Sequence, residues 1–246
     1  MVTPLRAQHI TKSYGSEQVL DNLDLELHPR ETFSILGRSG CGKTTLLKVL
    51  AGLEPVDNGQ VLINGQHIGS LPPQERQVVY LYQEALLFPH LNVFENIAFG
   101  LRLRDHSENE IKKQTHAMID RLGLSGMDQK MPQQLSGGQQ QRVSFGRALI
   151  INPSVLLLDE PFGSLDGDTR NDMQQFFKDI ADEFDITAIF VTHNVKEAML
   201  MGNRIGTLID GKLNIYDSVE KFINSDNSLV QEQIDFWSSI QHKLTN

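Results

Sequence analysis

Two stretches of the chain carry residue types and spacings suited to phosphate chemistry. Gly37-Arg38-Ser39-Gly40-Cys41-Gly42-Lys43-Thr44 satisfies G-x-x-x-x-G-K-[ST] in full. A short apolar run, Thr32 to Leu36, precedes it, and Lys43 to Leu50 reads as a helix with Leu46, Leu47 and Leu50 on one face. Small residues between a strand and a helix let backbone N–H groups turn inward around phosphate oxygens, and the helix start adds the positive end of its dipole. Lys43 brings a mobile cation to the β- and γ-phosphates, and the Thr44 hydroxyl is placed for Mg²⁺. Thr45 closes the expected phosphate-contact set.

The second stretch, Val155-Leu156-Leu157-Leu158-Asp159-Glu160, is an apolar strand ending in two acids. At the C-terminal end of a parallel strand such acids face the crevice where ligands of open α/β sheets bind. Asp159 suits Mg²⁺, directly or through water. Glu160 suits a general base that orients and activates an attacking water. On these residues alone the reading is a P-loop ATPase.

Positioning these groups requires strands and helices in alternation, and the sequence supplies them. Leu20, Leu23, Leu25 and Leu27 lie mostly at alternate positions, and Tyr14-Gly15 predicts a hairpin or loop between two such runs. Gly52 and Pro55 end the first helix, Asp57-Asn58-Gly59 predicts a turn, and short strands follow at Val61 to Ile63 and Val78 to Tyr82. From about Asn92 to Ala148 the pattern is helical, with Glu110 to Leu122 amphipathic through Ile111, Met118, Ile119 and Leu122. Val155 to Leu158 and Thr187 to Val191 are continuous apolar runs, as expected of parallel strands covered on both faces. The predicted fold is α/β, with a mostly parallel sheet, an N-terminal antiparallel β layer and an inserted helical subdomain. The core lobe is expected over about 1–84 and 153–223, the helical lobe over about 85–152. Residues 211–246 read as polar and mostly helical, with a short helical tail over 224–246.

Composition narrows the function classes. With 22 Lys and Arg against 31 Asp and Glu, the chain carries a formal charge of −9, a poor basis for binding nucleic acid. The one cysteine, Cys41, excludes an intrachain disulfide and fits a reducing compartment. Met1 to Ile10 lacks the apolar core of a signal peptide, and no run approaches the roughly 18 apolar residues of a spanning helix. A membrane role is therefore expected to come through a partner.

Leu135-Ser136-Gly137-Gly138-Gln139, followed by Gln140-Gln141-Arg142-Val143, matches the signature motif of ABC (ATP-binding cassette) ATPases, and from about Leu5 to Ile223 the chain resembles that family. Ser136 can cap a helix whose start points at an anion, while Gly137 and Gly138 admit backbone amides to it. The resemblance implies that this anion is the γ-phosphate of an ATP held by a second copy or a paralogue, so that two cassettes close head-to-tail around two ATP molecules. It further implies that Tyr14 stacks on adenine and that Gln83 senses Mg²⁺ and the γ-phosphate. Asp166, in Ser164-Leu165-Asp166, is implied to cross the dimer interface, and His193 to contact the γ-phosphate as a switch. The chain departs from the family at His28-Pro29-Arg30-Glu31, where a Gly-Glu pair is common, and at Phe145-Gly146 after the signature, neither of them a catalytic position.

Residues Phe88 to Leu101 resemble the segment after the glutamine in bacterial importer cassettes for polyamines, ferric iron, sulfate or molybdate, and sugars. In those cassettes the segment lines a groove for a short helix of the membrane subunit, and Phe88, Leu91 and Phe94 suit such a groove. The resemblance therefore implies an ATP hydrolase at the cytoplasmic face of the inner membrane. Its expected partners are transmembrane permease subunits and a solute-binding protein, with no nucleic acid. Two other readings compete: a soluble ABC ATPase acting on nucleic acid, ribosomes or cluster assembly, and a P-loop kinase. The signature and Glu160 argue against the kinase.

Overall fold

A computed structural model describes residues 3–104, 106–226 and 231. The chain opens with β1 (Leu5–Tyr14), β2 (Glu17–Leu27), β3 (Thr32–Leu36), α1 (Lys43–Ala51), β4 (Asn58–Ile63) and β5 (Gln66–His67). It continues with β6 (Val78–Leu81), α2 (Val93–Arg102), α3 (Glu108–Arg121), α4 (Gly137–Leu149), β7 (Val155–Asp159) and α5 (Gly167–Glu183). It then runs through β8 (Ala188–Thr192), α6 (Val195–Met201), β9 (Arg204–Ile209), β10 (Lys212–Tyr216) and α7 (Val219–Ile223). Two compact units result: Met1–Ser70 with Thr187–Asn246, and Leu71–Ile186.

The first unit contains the predicted antiparallel layer, in the order β2-β1-β4-β5. Tyr14 pairs with Glu17 across Gly15, so the expected hairpin forms there. Asn64 and Gly65, at φ 50° and 78°, make the two-residue turn between β4 and β5. The turn expected at Asp57-Asn58-Gly59 is instead the entry to β4, beside a register shift between Gln8 and Thr11 of β1. In the same unit β3 is paired in parallel with β8 on one side and β9 on the other, and β10 runs antiparallel to β9. All five residues of β3 and of β8 are buried, which is why neither strand alternates in polarity.

The expectation that 211–246 is mostly helical is corrected over its first residues. Asp210 and Gly211 both have positive φ, 47° and 75°, and turn β9 back into the antiparallel strand β10. An Asp-Gly pair between strands favours such a two-residue turn, and in β10 the exposed Lys212 and Asn214 alternate with the half-buried Leu213 and Ile215. A helix does follow, at α7, while most of the expected tail over 224–246 lies outside the described residues. Arg30 sits at φ 61°, where glycine is at ease, and its N–H donates to Thr187 Oγ1 at 2.9 Å. Next to it Glu31 is buried and accepts from Arg204 Nη1 at 3.1 Å.

In the second unit β6 and β7 are parallel, from Val78 opposite Val155 to Leu81 opposite Leu158. Helix α3 begins two residues before its predicted start because Ser107 and Glu110 close a capping box. Helix α2 packs on α3 and α4. Phe145 is wholly buried and lies 5.6 Å from Phe177 and 6.4 Å from Phe162, ring centre to ring centre. A Cβ on Gly146 would come within 2.4 Å of Leu122 Cδ1, so this position of α4 has room only for hydrogen. The Phe145-Gly146 departure is thus a packing solution. Among the described residues no helix is long and apolar enough to cross a membrane.

Candidate functional site

In the first unit β3 delivers the chain into the glycine-rich loop and α1 leaves it. Gly42 precedes α1 at φ 103°, and no side chain caps that helix start. A Cβ there would lie 2.9 Å from the Val19 carbonyl oxygen, so glycine is required both by φ and by the close approach of β2. Lys43 is 5% exposed, and its ammonium donates to the Gly37 and Arg38 carbonyls at 2.8 and 3.0 Å. The cation is thereby folded over the loop that it follows. Arg38, Ser39, Gly40 and Thr44 are exposed, Cys41 and Thr45 half-buried, and Gly37 buried. Burial pushes the Cys41 thiol above its ordinary range, against a smaller opposing pull from Lys43. That keeps it a thiol rather than a nucleophilic thiolate.

The strand ends of this unit bring His193 beside the loop. Leu36 of β3 is in register with Thr192 of β8, so Gly37 and His193 each follow the last residue of adjacent parallel strands. His193 is exposed. Tyr14, at the end of β1, is 46% exposed, with the Lys12 ammonium 5.3 Å from its ring centre.

In the second unit, Gln83, Asp159 and Glu160 follow or end the paired strands β6 and β7. The Tyr80 hydroxyl donates to Asp159 Oδ2 at 2.5 Å. Burial, and then this bond, push the Tyr80 phenol well above its ordinary range, so the hydroxyl holds its proton as a fixed donor. Glu160 has φ 46°, a conformation that costs a non-glycine residue about 1–3 kcal/mol and recurs at functional sites. Its carbonyl accepts from Gly163 N–H at 3.0 Å, closing a turn. A Cβ on Gly163 would meet Gln83 Nε2 at 2.8 Å, so the Gln83 amide rests against the turn that begins at Glu160. These three predicted residues are brought together.

The signature helix α4 starts as expected. Ser136 Oγ accepts from Gln139 N–H at 3.3 Å, and Gln139 Oε1 accepts from Ser136 N–H at 3.1 Å. Ser136 and Gly137 are exposed, while Gly138 lies against Thr169 of α5. Asp166 caps α5 by accepting from Thr169 N–H at 3.1 Å, and this bond holds its carboxyl below the usual range. A cavity of about 290 Å³ opens on this face between Ser136, Gln139, Arg142 and Asp172.

Two features escaped the sequence reading. Tyr80 looked like an ordinary strand residue; the available signal was a hydroxyl on the strand that pairs with the Asp159 strand. Arg147, near the end of α4, donates to the Leu86 carbonyl at 3.0 Å and covers the Phe88 ring at 4.9 Å, tying the signature helix to the segment after Gln83. One reading is corrected. Phe94 does not line an open groove: it is 9% exposed and 5.1 Å from the His116 ring, where α2 packs on α3. Its place at the second position of α2 turns it inward. Phe88 and Leu91 are half-buried, and the exposed large apolar residues just before this segment are Tyr82 and Leu86, at 42% and 53%.

The donors expected for Mg²⁺ (Thr44 hydroxyl, Gln83 amide oxygen, Asp159 carboxylate) are all hard oxygen atoms. Among the described residues no group of three or more His, Cys, Asp or Glu could hold a metal by itself. Oxygen donors of this kind are the ligand type that Mg²⁺ takes, together with waters and substrate phosphates.

The ABC transporter family matches residues 20–163. The chain is 42% identical over 221 residues to a sulfate/thiosulfate import ATP-binding protein of Methylococcus capsulatus, covering 88% of this chain and 64% of that protein. It is 46% identical over 206 residues to a spermidine/putrescine import ATP-binding protein of Thermotoga maritima, covering 84% of this chain and 56% of that one. A third relative, a spermidine/putrescine import ATP-binding protein of Clostridioides difficile, is 41% identical over 235 residues, covering 91% and 68%. The chain thus spans between 56% and 68% of the length of these relatives. Among solved structures it is similar to the cassette MJ0796, a dimer in a post-hydrolysis state bound to ADP and Pi, with a TM-score of 0.74 and 31% identity over 85% of this chain and 96% of that one. The mixed α/β fold is therefore the P-loop NTPase fold of such cassettes, and a match of this breadth shows that the chain belongs to the ABC transporter family.

Proposed function

We propose that the chain is the ATP-binding and ATP-hydrolysing subunit of an ABC importer, working as a head-to-tail pair beneath separate permease subunits at the cytoplasmic face of the membrane. The observation that carries this reading is the glycine-rich loop between β3 and α1, with Lys43 folded over its carbonyls, in a chain that also presents a Ser136-capped signature helix. The relatives' names as import ATP-binding proteins support import, and the dimeric neighbour supports a second copy. A solute-binding protein completes the proposed assembly.

In this reading residues 37–45 cradle the phosphates and Lys43 swings from its carbonyls to the β- and γ-phosphates. Tyr14 stacks on adenine. Glu160 accepts a proton from the attacking water and so orients it, while Gln83 and His193 hold the γ-phosphate end. Ser136, Gly137, Gly138, Gln139 and Asp166 serve the ATP of the opposite copy. Mg²⁺, when bound with ATP, would be held by Thr44, Asp159 and Gln83 and would neutralise charge on the phosphates.

The test is phosphate release from Mg·ATP by the purified chain with no acceptor molecule present. Release that Lys43→Ala abolishes is expected. Phosphate transfer only when a metabolite is added would instead favour a kinase. Recovery of the native protein with nucleic acid or ribosomes, and not with membranes, would favour a soluble ABC ATPase.

A further inference from the structure

His193 lies in a turn tied down by a hydrogen-bond relay in the first unit. Thr192 ends β8 and is 1% exposed. The Asn194 N–H donates to Thr192 Oγ1 at 3.1 Å, and the Thr192 hydroxyl donates to Glu197 Oε2. The relay closes through the Glu197 N–H, which donates to Asn194 Oδ1 at 3.2 Å. Elsewhere the chain uses the direct form of this cap: Glu110 and Gln139 each return to the N–H of their own capping serine. At α6 a threonine hydroxyl is inserted between carboxylate and N–H.

The direction of each bond follows from chemistry. Thr192 Oγ1 accepts from Asn194 through a lone pair while its proton stays available to donate, and the Glu197 carboxylate oxygen is the acceptor within reach. Glu197 is only 8% exposed, and a carboxyl is buried to that degree when hydrogen bonds replace its water. The anchors on both sides are firm. Thr192 is in register with Leu36, one residue before the phosphate loop. Val195 and Ala198 of α6 pack with Leu36, Ile205 and Phe222. His193 is the exposed residue between a fixed strand end and a fixed helix start.

We infer that Thr192 and Glu197 are positioning residues for His193, holding its backbone at one angle to the phosphate loop. The inference rests on the proposed contact of His193 with the γ-phosphate. Misplacing a catalytic group by about 1 Å can cost up to roughly 10²-fold in rate.

The experiment measures kcat and KM for Mg·ATP in Thr192→Val, Thr192→Ser, His193→Ala and the double variant Thr192→Val/His193→Ala. Valine keeps the shape of threonine without the hydroxyl; serine restores the hydroxyl. Expected is a fall in kcat of about 10-fold for Thr192→Val with KM within about 2-fold. Thr192→Ser should stay near wild type, and Thr192→Val should add nothing in the His193→Ala background. Equal losses in the valine and serine variants would overturn the inference, and so would an undiminished loss in the double variant. A normal kcat for Thr192→Val beside a slow His193→Ala would overturn it and leave the reading of His193 standing. A normal kcat for His193→Ala would remove that reading itself. Should Thr192→Val not fold, Glu197→Gln, which keeps an acceptor oxygen, against Glu197→Leu, which does not, decides in the same way: the first is expected to stay near wild type, and equal rates in the two would overturn the inference.

Discussion

The Tyr80 hydroxyl holds Asp159 by a hydrogen bond of 2.5 Å between two paired strands, with its donor proton secured by burial. A carboxylate held this way is fixed in its orientation. Hydrogen bonds of this kind behind metal-binding carboxylates typically change metal affinity by 10–100-fold. Tyr80→Phe should therefore raise the Mg²⁺ concentration needed for half-maximal binding of a fluorescent ATP analogue by about 10-fold. Nucleotide binding without metal should be unchanged. An unaltered Mg²⁺ dependence would mean that Asp159 is not the metal-facing group or that Tyr80 does not hold it.

Phe94 and Leu86 separate core from surface in the segment after Gln83. Phe94→Asp puts a carboxylate at a 9% exposed site and should cost at least the 3–5 kcal/mol of truncating a buried Phe. The thermal midpoint should fall by roughly 10 °C. Leu86→Asp, at a 53% exposed position with φ 37°, should leave it within about 2 °C, since Asp tolerates the left-handed region better than Leu. If Leu86 is part of the surface that meets the permease, Leu86→Asp keeps basal ATPase and loses co-purification with that permease. Equal thermal shifts in the two variants would contradict the burial described for Phe94.

What the sequence made legible, and what it hid, follows from the range of the interactions involved. The phosphate loop and the strand ending at Asp159-Glu160 were readable because their function is local: a few consecutive residues build the backbone shape. The first helix ended where Gly52 predicted, at φ 78°, for the same reason. The Tyr80–Asp159 bond joins residues 79 positions apart, so no window of sequence contains it. Phe94 misled because an aromatic beside polar neighbours reads the same whether a partner or its own lobe covers it; only the course of α2 against α3 decides. The strand β10 was missed because it is short and alternates, with Leu213 and Ile215 between Lys212, Asn214 and Tyr216, so it lacks the continuous apolar run that marked β3 and β8. The roles of Lys43, Thr44, Asp159 and Glu160 came from the residues themselves, whereas those of Tyr14, Gln83, Asp166 and His193, and the contact of Ser136 with an opposite ATP, came from the family resemblance.

Cys41 offers a probe of the loop. Burial raises its pKa above the ordinary thiol range, so at neutral pH less of it is thiolate than for an unburied thiol. Iodoacetamide should modify it more slowly than a free thiol at pH 7.5, with the rate rising as pH climbs toward the thiol pKa, and ATP should slow it further. Reaction as fast as a free thiol, or indifference to ATP, would contradict its place in the loop.

If each ATP is shared between two copies, lesions in different halves should complement. Equal amounts of Lys43→Ala and Ser136→Arg chains, each inactive alone, should recover about a quarter of wild-type turnover, since half of randomly paired dimers are mixed and each holds one intact site. Wild-type activity per chain should also rise with concentration. No recovery on mixing, with both chains folded, would indicate complete sites within each monomer.

The most direct measurement concerns Glu160. Glu160→Gln keeps shape and hydrogen bonding but cannot take the proton of the attacking water. The account predicts that this variant binds Mg·ATP with near-normal affinity, releases phosphate at least about 10²-fold more slowly than wild type, and elutes as a dimer with ATP but as a monomer with ADP. Turnover within a few-fold of wild type, or no ATP-dependent dimer, would contradict it.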